Sequence, residues 1–355
     1  MSKVVLLAPT PPPAGGIAGW TMRMLEAKLK NGWKVEVVDE KLIGNTETFG
    51  VGSKRHLSDE VKRTFKIWTN LRKSLKDREV KIVHSCIPST TFAMIREYIC
   101  AILTHIHRRK FIMHFRCTTP NTTQGTLGQF IFKRICNISD HIIVLNTPSL
   151  KHVQSICNTT VEIIPNFVDL SEIIEDKEVE DQVMNILYVG GVIETKGCSL
   201  ICDIAKEFPN IQFRMVGKAE QNIIDKAHSL DNVILTGPKN KEEVKEELKN
   251  ADLFLFLSHF RGEGFSNSLA EAMAFGLPCI VTDWAANKDM IENKGGIIVC
   301  VDDLESSIEA VRLELDAEKR REQSRFNRDK VKLNYASNIV LDKYVDCYER
   351  LNEIK

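Results

Sequence analysis

The sequence predicts an α/β protein with two domains, each built around a parallel sheet. Short apolar runs, such as residues 4–8 and 186–189, alternate with amphipathic segments whose apolar residues recur at helical spacing. This alternation is typical of parallel strands joined by helical crossovers. The 355 residues also suffice for two domains of ordinary size. We predict a first domain over residues 1–170, a linker over 171–183, a second domain over 184–335 and a final helical segment over 336–355.

Composition argues against several classes of protein. Apolar residues make up 43% and charged residues 27% of the chain, as expected of a folded α/β protein. The longest apolar runs fall well short of the ~18 residues that span a bilayer, and the first apolar run is too short for a signal peptide. The ten cysteines include no Cys-x-x-Cys pair, so neither a zinc site nor a disulfide framework is supported. We expect a cytoplasmic protein without a metal site, and no nucleic-acid partner.

The net charge is zero, but the charges are unevenly distributed. Residues 1–170 contain 24 Lys or Arg and 13 Asp or Glu, whereas residues 171–355 contain 24 and 35. Opposite charges could simply help the two halves dock. Alternatively, the basic half could meet an anionic partner, such as a membrane surface or a phosphate-bearing acceptor.

The basic half contains two amphipathic segments that allow opposite interpretations. Residues 54–81 are rich in Lys and Arg, from Lys54 and Arg55 onward, and residues 95–106 precede the basic run 108–110. In the first segment the apolar residues at helical spacing are Val61, Phe65, Trp68, Leu71 and Leu75. This stripe could face the core, or it could lie on an anionic leaflet with Trp68 near the headgroups.

The segment from Glu263 to Pro278 carries the strongest functional signal. It lies between two apolar runs and predicts a strand, a loop, a helix and a second strand. Ser266, Asn267 and Ser268 can cap a helix that Gly276 and Pro278 end about three turns later. A helix N-terminus attracts phosphate, and Glu263 and Glu271 can accept hydroxyl hydrogen bonds, so the segment suits a nucleotide sugar. The alternative is a capping box, in which Glu271 only bonds back to the N-cap amide of Ser268.

The spacing of Glu263 and Glu271, with Gly264-Phe265 after the first acid and Glu-Ala-Met-Ala-x-Gly-x-Pro at the end, resembles the signature of the retaining glycosyltransferases of family 4. The resemblance implies the GT-B fold, in which two Rossmann-like domains face a cleft and the last helix crosses back to the first domain. The Pro-Asn-x-Val-Asp cluster at residues 165–169 resembles the connection between the domains. The resemblance also implies transfer from a nucleotide sugar with retention of anomeric configuration and without a metal ion.

Roles for individual residues follow from the same resemblance. Lys196 resembles a diphosphate-binding lysine, Glu263 the acid that holds the sugar hydroxyls, and Glu271 the acid that holds the ribose. His114 would contact the donor sugar, so the expected catalytic residues are His114, Glu263 and Lys196. Arg116 shares a strand side with His114 and is a candidate for an acceptor or phosphate contact. The other expected donor-binding residues are Gly15, Gly16, Gly190, Gly191, Gly217, Gly264, Phe265, Ser266, Asn267, Ser268 and Leu269.

One position departs from the family pattern. The residue after Gly190 is commonly an arginine that binds the diphosphate, but this chain has Gly191. The candidates to replace that cation are Lys218, Arg261 and Arg116. His84, at another strand end, is interpreted as a satisfied core residue.

We therefore predict a retaining glycosyltransferase that uses a nucleoside-diphosphate sugar and no cofactor. The Gly-Phe-Ser-Asn-Ser loop favours a UDP-linked donor, with GDP-mannose open, and the basic helices favour a glycan or lipid-linked sugar acceptor at the inner membrane face, as in surface polysaccharide assembly. Two alternatives stay open. A nucleotide-dependent oxidoreductase could use the Gly15 loop and Asp39, and Gly191 makes a non-catalytic sugar-nucleotide-binding protein conceivable.

Overall fold

The computed structural model describes residues 2–12, 15–41, 57–173 and 177–353. The chain divides into two compact units: unit 1 is Met1–Asn166 with Val340–Lys355, and unit 2 is Phe167–Ile339. Each unit contains a six-stranded sheet, and every pairing between the described strands is parallel. The α/β fold class predicted from the sequence is confirmed.

Most of unit 1 is formed, in chain order along the described residues, by β1 (Lys3–Ala8), α1 (Gly16–Glu26), β2 (Lys34–Asp39), α2 (Leu57–Ser74), β3 (Val80–Ile87), α3 (Thr91–Ile106), β4 (Lys110–Phe115), α4 (Thr119–Thr122), α5 (Thr126–Ile138), β5 (His141–Val144), α6 (Thr147–Ile156) and β6 (Val161–Ile163). The strand order is β2-β1-β3-β4-β5-β6. Strands β1, β3 and β4 are buried almost throughout, because helices cover both faces of a parallel sheet, and this explains their nearly continuous apolar sequences.

Unit 2 and the end of the chain contain β7 (Asn185–Val189), α7 (Cys198–Glu207), β8 (Gln212–Val216), α8 (Gln221–Ala227), β9 (Val233–Gly237), α9 (Lys241–Asn250), β10 (Leu253–Phe256), α10 (Asn267–Ala274), β11 (Cys279–Thr282), α11 (Asn287–Ile291), β12 (Gly296–Val299), α12 (Leu304–Leu313), α13 (Ala317–Lys330) and α14 (Ser337–Glu353). The strand order is β12-β11-β10-β7-β8-β9. Counted from β7, this is the order of dinucleotide-binding sheets, which reverses between β7 and β10. Ligands of such sheets bind at the carboxyl ends of the strands at that reversal.

Helix α2 divides its apolar residues between the core and the surface. Ile67, Leu71 and Leu75, the last just beyond the helix, are buried in the core of unit 1. Val61 and Phe65 are instead 47% and 59% exposed. The predicted apolar stripe is therefore only partly a core face, because the core covers the second half of the helix and not the first. Lys54 and Arg55 lie outside the described residues.

The segment predicted as a linker, residues 171–183, contacts helix α9 at two places. Glu172 is buried and forms an ion pair with Lys241 at the start of α9. Lys177 Nζ donates a hydrogen bond to the carbonyl of Leu248 at 2.9 Å, near the carboxyl end of the same helix, where a cation is favoured. The high charge of this segment is thus partly used in contacts with α9. Residues 174–176 lie outside the described residues.

Most of α14 belongs to unit 1. Tyr348 Oη lies 2.8 Å from His84 Nδ1, and Arg350 forms an ion pair with Glu162 at 2.7 Å. The last helix of the chain therefore contributes both buried and exposed polar contacts to the first unit.

No helix in the described part of the chain combines the length and the apolar character that a bilayer span requires. The ten cysteines are free thiols, and all except Cys300 are buried.

Candidate functional site

Loops rich in glycine meet at the carboxyl edge of the unit 2 sheet, where the strand order reverses. A Cβ atom at Gly217, after β8, would lie 1.8 Å from the carbonyl oxygen of Gly190, after β7. A Cβ atom at Gly197 would lie 2.4 Å from the carbonyl oxygen of Leu257, after β10, and Gly197 also has a φ of +76°. Only glycine fits these two positions, because backbone contacts backbone there.

The predicted catalytic residues Lys196 and Glu263 form an ion pair at this edge. Lys196 ends a short 3-10 turn (Glu194–Lys196) after β7, and Glu263 lies in the loop after β10. The Lys196 ammonium lies 4.9 Å from the centre of the Phe260 ring, and Ser258 Oγ lies 3.4 Å from Glu263 Oε2. Only 18% of the Lys196 side chain and 11% of the Glu263 side chain are exposed. Two neighbouring strands thus bring together residues that lie 67 positions apart.

Helix α10 follows Glu263 and is capped by Ser266, whose Oγ accepts a hydrogen bond from the backbone N–H of Leu269 at 3.2 Å. Ser268 is consequently the second residue of the helix and not its N-cap. The capping box considered for Ser268 and Glu271 is therefore not formed. The helix ends after eight residues, about two turns rather than three, and Gly276 follows with a φ of +70°.

Two of the predicted donor contacts have side chains in the core. Phe265 packs edge-on against Tyr335, with ring centres 5.2 Å apart, and Leu269 is fully buried. Contacts from these two residues to a ligand would therefore come from the main chain. The other predicted donor contacts in this loop and helix differ in burial: Gly264 and Ser266 are buried, and Asn267, Ser268 and Glu271 are half-buried.

Gly191 has room for a side chain, unlike Gly190 and Gly217. No heavy atom of the described residues, apart from its chain neighbours, lies within 4 Å of a Cβ built at Gly191. The next amide, that of Val192, donates to the carbonyl of Lys218 at 2.9 Å, which places exposed Lys218 at the same edge. Arg261 is exposed in the loop that carries Glu263. Unit 2 therefore contains two of the three candidates for a second cation.

Gly15 and Gly16 open α1 in unit 1, where Gly15 is the N-cap. Asp39, the acid that an oxidoreductase would use for ribose, accepts hydrogen bonds from Thr10 N at 2.9 Å and Thr10 Oγ1 at 2.8 Å. Glu40 is buried and ion-paired with Arg96. The acids at the end of β2 thus anchor the loop after β1 and fill the core, which does not favour a dinucleotide site.

His114 is fully buried in unit 1, and its hydrogen bonds fix its tautomer. Arg116 Nη1 lies 3.3 Å from His114 Nε2, and a guanidinium can only donate, so Nε2 accepts. The proton of the ring is then on Nδ1, which lies 3.1 Å from His84 Nε2. His84 donates from Nδ1 to Tyr348 Oη at 2.8 Å. Burial lowers the pKa of His84 to about 3 and the pKa of His114 well below its usual range, so both rings are neutral at neutral pH.

His114 is enclosed by residues of its own unit. The Trp20 ring packs edge-on against it at a centre distance of 5.7 Å, and Tyr344 lies beyond at 6.1 Å. His84 is a buried, hydrogen-bonded histidine, as the sequence predicts. The contact between His114 and a donor sugar stays a prediction.

Arg116 follows β4 directly and is 6% exposed. Its Nη2 donates to Asn166 Oδ1 at 2.5 Å, and its guanidinium carbon lies 4.7 Å from the centre of the Trp20 ring. Burial lowers the pKa of Arg116, and the positive charge of Arg23 acts in the same direction. Arg116 and His114 are thus brought together, as their spacing on one strand predicts.

Two groups of side chains in the described residues have the spacing of metal ligands. The first group is formed by His84, Cys86 and His114. A metal bound to His114 Nδ1 would move the ring proton to Nε2, where it would face the N–H donors of Arg116. In the second, formed by His141, Glu162 and Cys347, the Glu162 carboxylate is already shared by His141 and Arg350, each at 2.7 Å. Neither donor set favours a bound cation.

The residues around Arg116 include several that sequence reasoning did not find. Asn166 lies in the 165–169 cluster, which was interpreted as a domain connection and not as a side-chain contact. For Trp20 the sequence offers one weak indication of a role in the site, namely its position directly after the Gly15 loop. Tyr348 has no signal, because 264 residues separate it from His84.

Comparison with known proteins gives two family matches that together run from residue 14 to residue 330. Residues 14–172 match "Glycosyltransferase Family 4", and residues 171–330 match "Glycosyl transferases group 1". Among curated protein sequences, none matches this chain.

Solved structures resemble the whole chain in fold. Sucrose-phosphate synthase from Thermosynechococcus elongatus has a TM-score of 0.78 and 15% identity over 99% of each chain. A glycosyltransferase from Rickettsia africae has a TM-score of 0.78 and 14% identity, over 100% of this chain and 99% of that one. Anabaena HepE in complex with UDP-glucose has a TM-score of 0.75 and 13% identity, over 99% of this chain and 100% of that one. At these identities the likeness concerns the fold.

Proposed function

Because this chain belongs to the group 1 glycosyltransferases and has the GT-B fold, we propose that it transfers a sugar from a UDP-linked donor to a glycan or lipid-linked sugar acceptor, with retention of anomeric configuration. The observation that carries the proposal is the ion pair of Lys196 and Glu263 at the strand reversal of unit 2. Glu263 lies in the loop that leads into the capped N-terminus of α10. A nucleotide sugar needs a cation for its phosphates and acceptors for its hydroxyls, and this pair supplies both.

In the proposed reaction, donor binding breaks the ion pair between Lys196 and Glu263, and the donor contacts both side chains instead. The diphosphate takes the Lys196 ammonium, and the Glu263 carboxylate is released to accept hydrogen bonds from sugar hydroxyls. As the nucleoside diphosphate departs, negative charge grows on its phosphate, and Lys196 and the N-terminus of α10 stabilise it. The acceptor hydroxyl enters on the face of the leaving group, and the departing phosphate takes its proton. We propose that this charge compensation needs neither a metal ion nor a cofactor.

A UDP-linked donor is supported by the Gly-Phe-Ser-Asn-Ser loop and by the ligands of a structural neighbour. HepE was solved with UDP and with UDP-glucose. We extend the nucleotide to this chain and use UDP-glucose as the trial donor in the assays. In the proposed site Glu271, on the first turns of α10, holds the ribose.

The experiment that tests the donor measures thermal unfolding with UDP, GDP, ADP, CMP, TDP or NADH. A ligand at ~100 times its Kd stabilises the folded state by ~2.7 kcal/mol. We expect a shift with UDP that Glu271→Ala removes, and UDP release from UDP-glucose that excess EDTA leaves unchanged. A shift with NADH alone would favour the oxidoreductase, and UDP binding without transfer to any acceptor would favour a non-catalytic protein.

A membrane-bound acceptor is supported by the surface of unit 1. Large apolar side chains are exposed on α2, α3 and α5: Phe65, Phe92, Ile95, Ile106, Leu127 and Phe130. Exposed cations accompany them, including Lys62, Lys66 and Lys133, and the Arg134 guanidinium lies 5.2 Å from the centre of the Phe130 ring. Apolar side chains flanked by cations suit an anionic bilayer surface, because the apolar groups can enter the acyl boundary and the cations can contact the anionic headgroups. We propose that these helices hold the enzyme at such a surface, where a lipid-linked acceptor is found, as in surface polysaccharide assembly.

A further inference from the structure

We infer that Arg116 is the centre of an anion-binding site in unit 1, which takes a phosphate group of the acceptor. Assigning the phosphate to an acceptor rests on the proposed function, whereas the existence of the site does not. The observation behind it is a buried guanidinium for which the described residues provide no carboxylate: Arg116 is 6% exposed and forms no ion pair within residues 2–12, 15–41, 57–173 and 177–353.

Another arginine of the same unit shows what a compensated buried guanidinium looks like. Arg96 is 7% exposed and forms ion pairs with Glu40 at 2.7 Å and with Glu97 at 2.6 Å. Burial works to lower the pKa of Arg96, but the two carboxylates outweigh it and the pKa is raised. At Arg116 burial lowers the pKa, and the neighbouring Tyr344 offsets this only in part. A buried charge is normally paired, so Arg116 lacks the partner that Arg96 has.

The donors of Arg116 are only partly used inside the protein. A guanidinium has five N–H groups; in this site one donates to His114 Nε2 and one to Asn166 Oδ1. Its Nε is buried without a hydrogen-bond partner among the described residues. The Nε–H and the adjacent Nη–H of an arginine form the fork that binds two oxygens of one phosphate or carboxylate. The unused donors therefore suit an oxyanion.

The position of Arg116 is that of a ligand site in a parallel sheet. It follows the carboxyl end of β4, beside β3, where β1 and β3 flank the reversal of strand order. The indole of Trp20, on α1, covers one face of the guanidinium. Arg23 on the same helix is near enough to lower the pKa of Arg116, so the local field is positive. A positive field and unused donors at the binding edge of the sheet favour an anion over a neutral hydroxyl.

A chain of hydrogen bonds holds the guanidinium in place. Arg116 donates to His114, His114 to His84, and His84 to Tyr348, and each neutral ring has the one tautomer that satisfies both neighbours. His84, His114 and Tyr348 are thus positioning residues for Arg116. Removing the Tyr348 hydroxyl would leave the buried Nδ1–H of His84 without an acceptor and would favour the other tautomer of both rings, which puts an N–H against Arg116.

The ligand chemistry is a phosphate monoester or diester, which a soluble sugar phosphate and a lipid headgroup share. The test uses the 355-residue chain carrying Lys196→Ala, so that the donor site does not compete. Methyl phosphate binding is measured by ³¹P line broadening, and phosphatidylglycerol vesicles are tested by sedimentation. We expect Arg116→Gln to weaken binding of at least one of these probes tenfold or more, and Arg312→Gln, which removes an exposed arginine of α12 in unit 2, to leave both unchanged. Equal binding of both probes in Arg116→Gln and its parent would overturn the inference.

Stability gives a second and independent readout. In phosphate-free buffer we expect Arg116→Gln to unfold at the same or a higher temperature than the parent, because it removes an uncompensated buried charge, whereas Arg96→Gln should unfold at a lower temperature. Tyr348→Phe should weaken methyl phosphate binding and shift the ring ¹⁵N signals of His114 towards the Nε2–H tautomer. A strongly destabilised Arg116→Gln with no phosphate effect in the parent would assign Arg116 a structural role. These results do not depend on UDP binding, so failure of this inference and failure of the proposed function are distinguishable.

Discussion

The ion pair of Lys196 and Glu263 predicts that removing the acid strengthens binding of the free nucleotide. In the absence of donor, Glu263 neutralises the ammonium that a diphosphate needs, and it also repels the diphosphate directly. We therefore expect Glu263→Gln to bind UDP more tightly than the unaltered protein while it loses transfer from UDP-glucose. Lys196→Met should instead lose both UDP binding and transfer.

The size of the effect follows from the burial of the pair. Two unit charges 4 Å apart interact by about 4 kcal/mol at an effective dielectric constant near 20. Both side chains are partly exposed, at 18% and 11%, and the ammonium keeps other neighbours when the acid is removed, so only part of this energy is recovered. We expect a gain of ~1.4 kcal/mol, which is tenfold in Kd. The gain should shrink at high salt, because screening weakens the interactions of partly exposed charges.

Isothermal titration with UDP at two salt concentrations measures this effect, with UDP release from UDP-glucose as the activity assay. Asp283→Asn is the matched control, because it removes an exposed carboxylate of the same unit whose ion-pair partner, Lys288, is also exposed. It should leave UDP affinity unchanged. Weaker UDP binding in Glu263→Gln, by as much as in Lys196→Met, would refute the reasoning, since it would mean that the acid contacts the nucleotide rather than competing with it.

Three further expectations concern the donor edge, the membrane surface and pH. Gly191→Arg should fold, because a Cβ there meets open space, and should raise UDP affinity about fivefold, whereas Gly217→Ala should misfold, because its Cβ would lie 1.8 Å from a carbonyl oxygen. Phe92→Ser, at a side chain 82% exposed, should reduce sedimentation with anionic vesicles roughly tenfold, and Leu313→Ser in unit 2 should not. Burial lowers the pKa of His84 to about 3, so below about pH 6.5 the unfolded chain takes up a proton that the folded state does not, and stability should fall as pH drops from about 6.5 towards 3 by up to ~1.36 kcal/mol per unit. His84→Gln should reduce that fall in urea unfolding between pH 4 and 7.

Much of the fold could be predicted because the signals are local. A buried parallel strand is apolar over most of its length, so the apolar run 186–189 after Asn185 predicts a strand over 185–189, the bounds that β7 has in the structure. The meeting of Lys196 and Glu263 could also be anticipated, since the carboxyl ends of parallel strands share one edge. The sequence pattern could not predict that these two side chains form an ion pair with each other.

Other features depend on distant neighbours that no local pattern contains. The stripe of α2 fits a core face or a membrane face equally well, and only the packing of unit 1 separates buried Leu71 from exposed Phe65. The α10 capping box fails for a similar reason, since Ser266 occupies the N-cap two residues earlier. The environment of Arg116 depends on Trp20 and Asn166, and the tautomer of His114 depends on Tyr348 at the other end of the chain.

Three cations of this protein differ in how far neighbouring carboxylates compensate their charge. Arg96 is surrounded by carboxylates and serves the core of unit 1. Lys196 is paired with a single acid, Glu263, and Arg116 has no acid at all among the described residues. Because an uncompensated buried charge reduces stability, a folded protein retains one mainly where a ligand completes it. The degree of charge compensation therefore ranks these cations by their expected response to anions: Arg116 most, Lys196 next and Arg96 least.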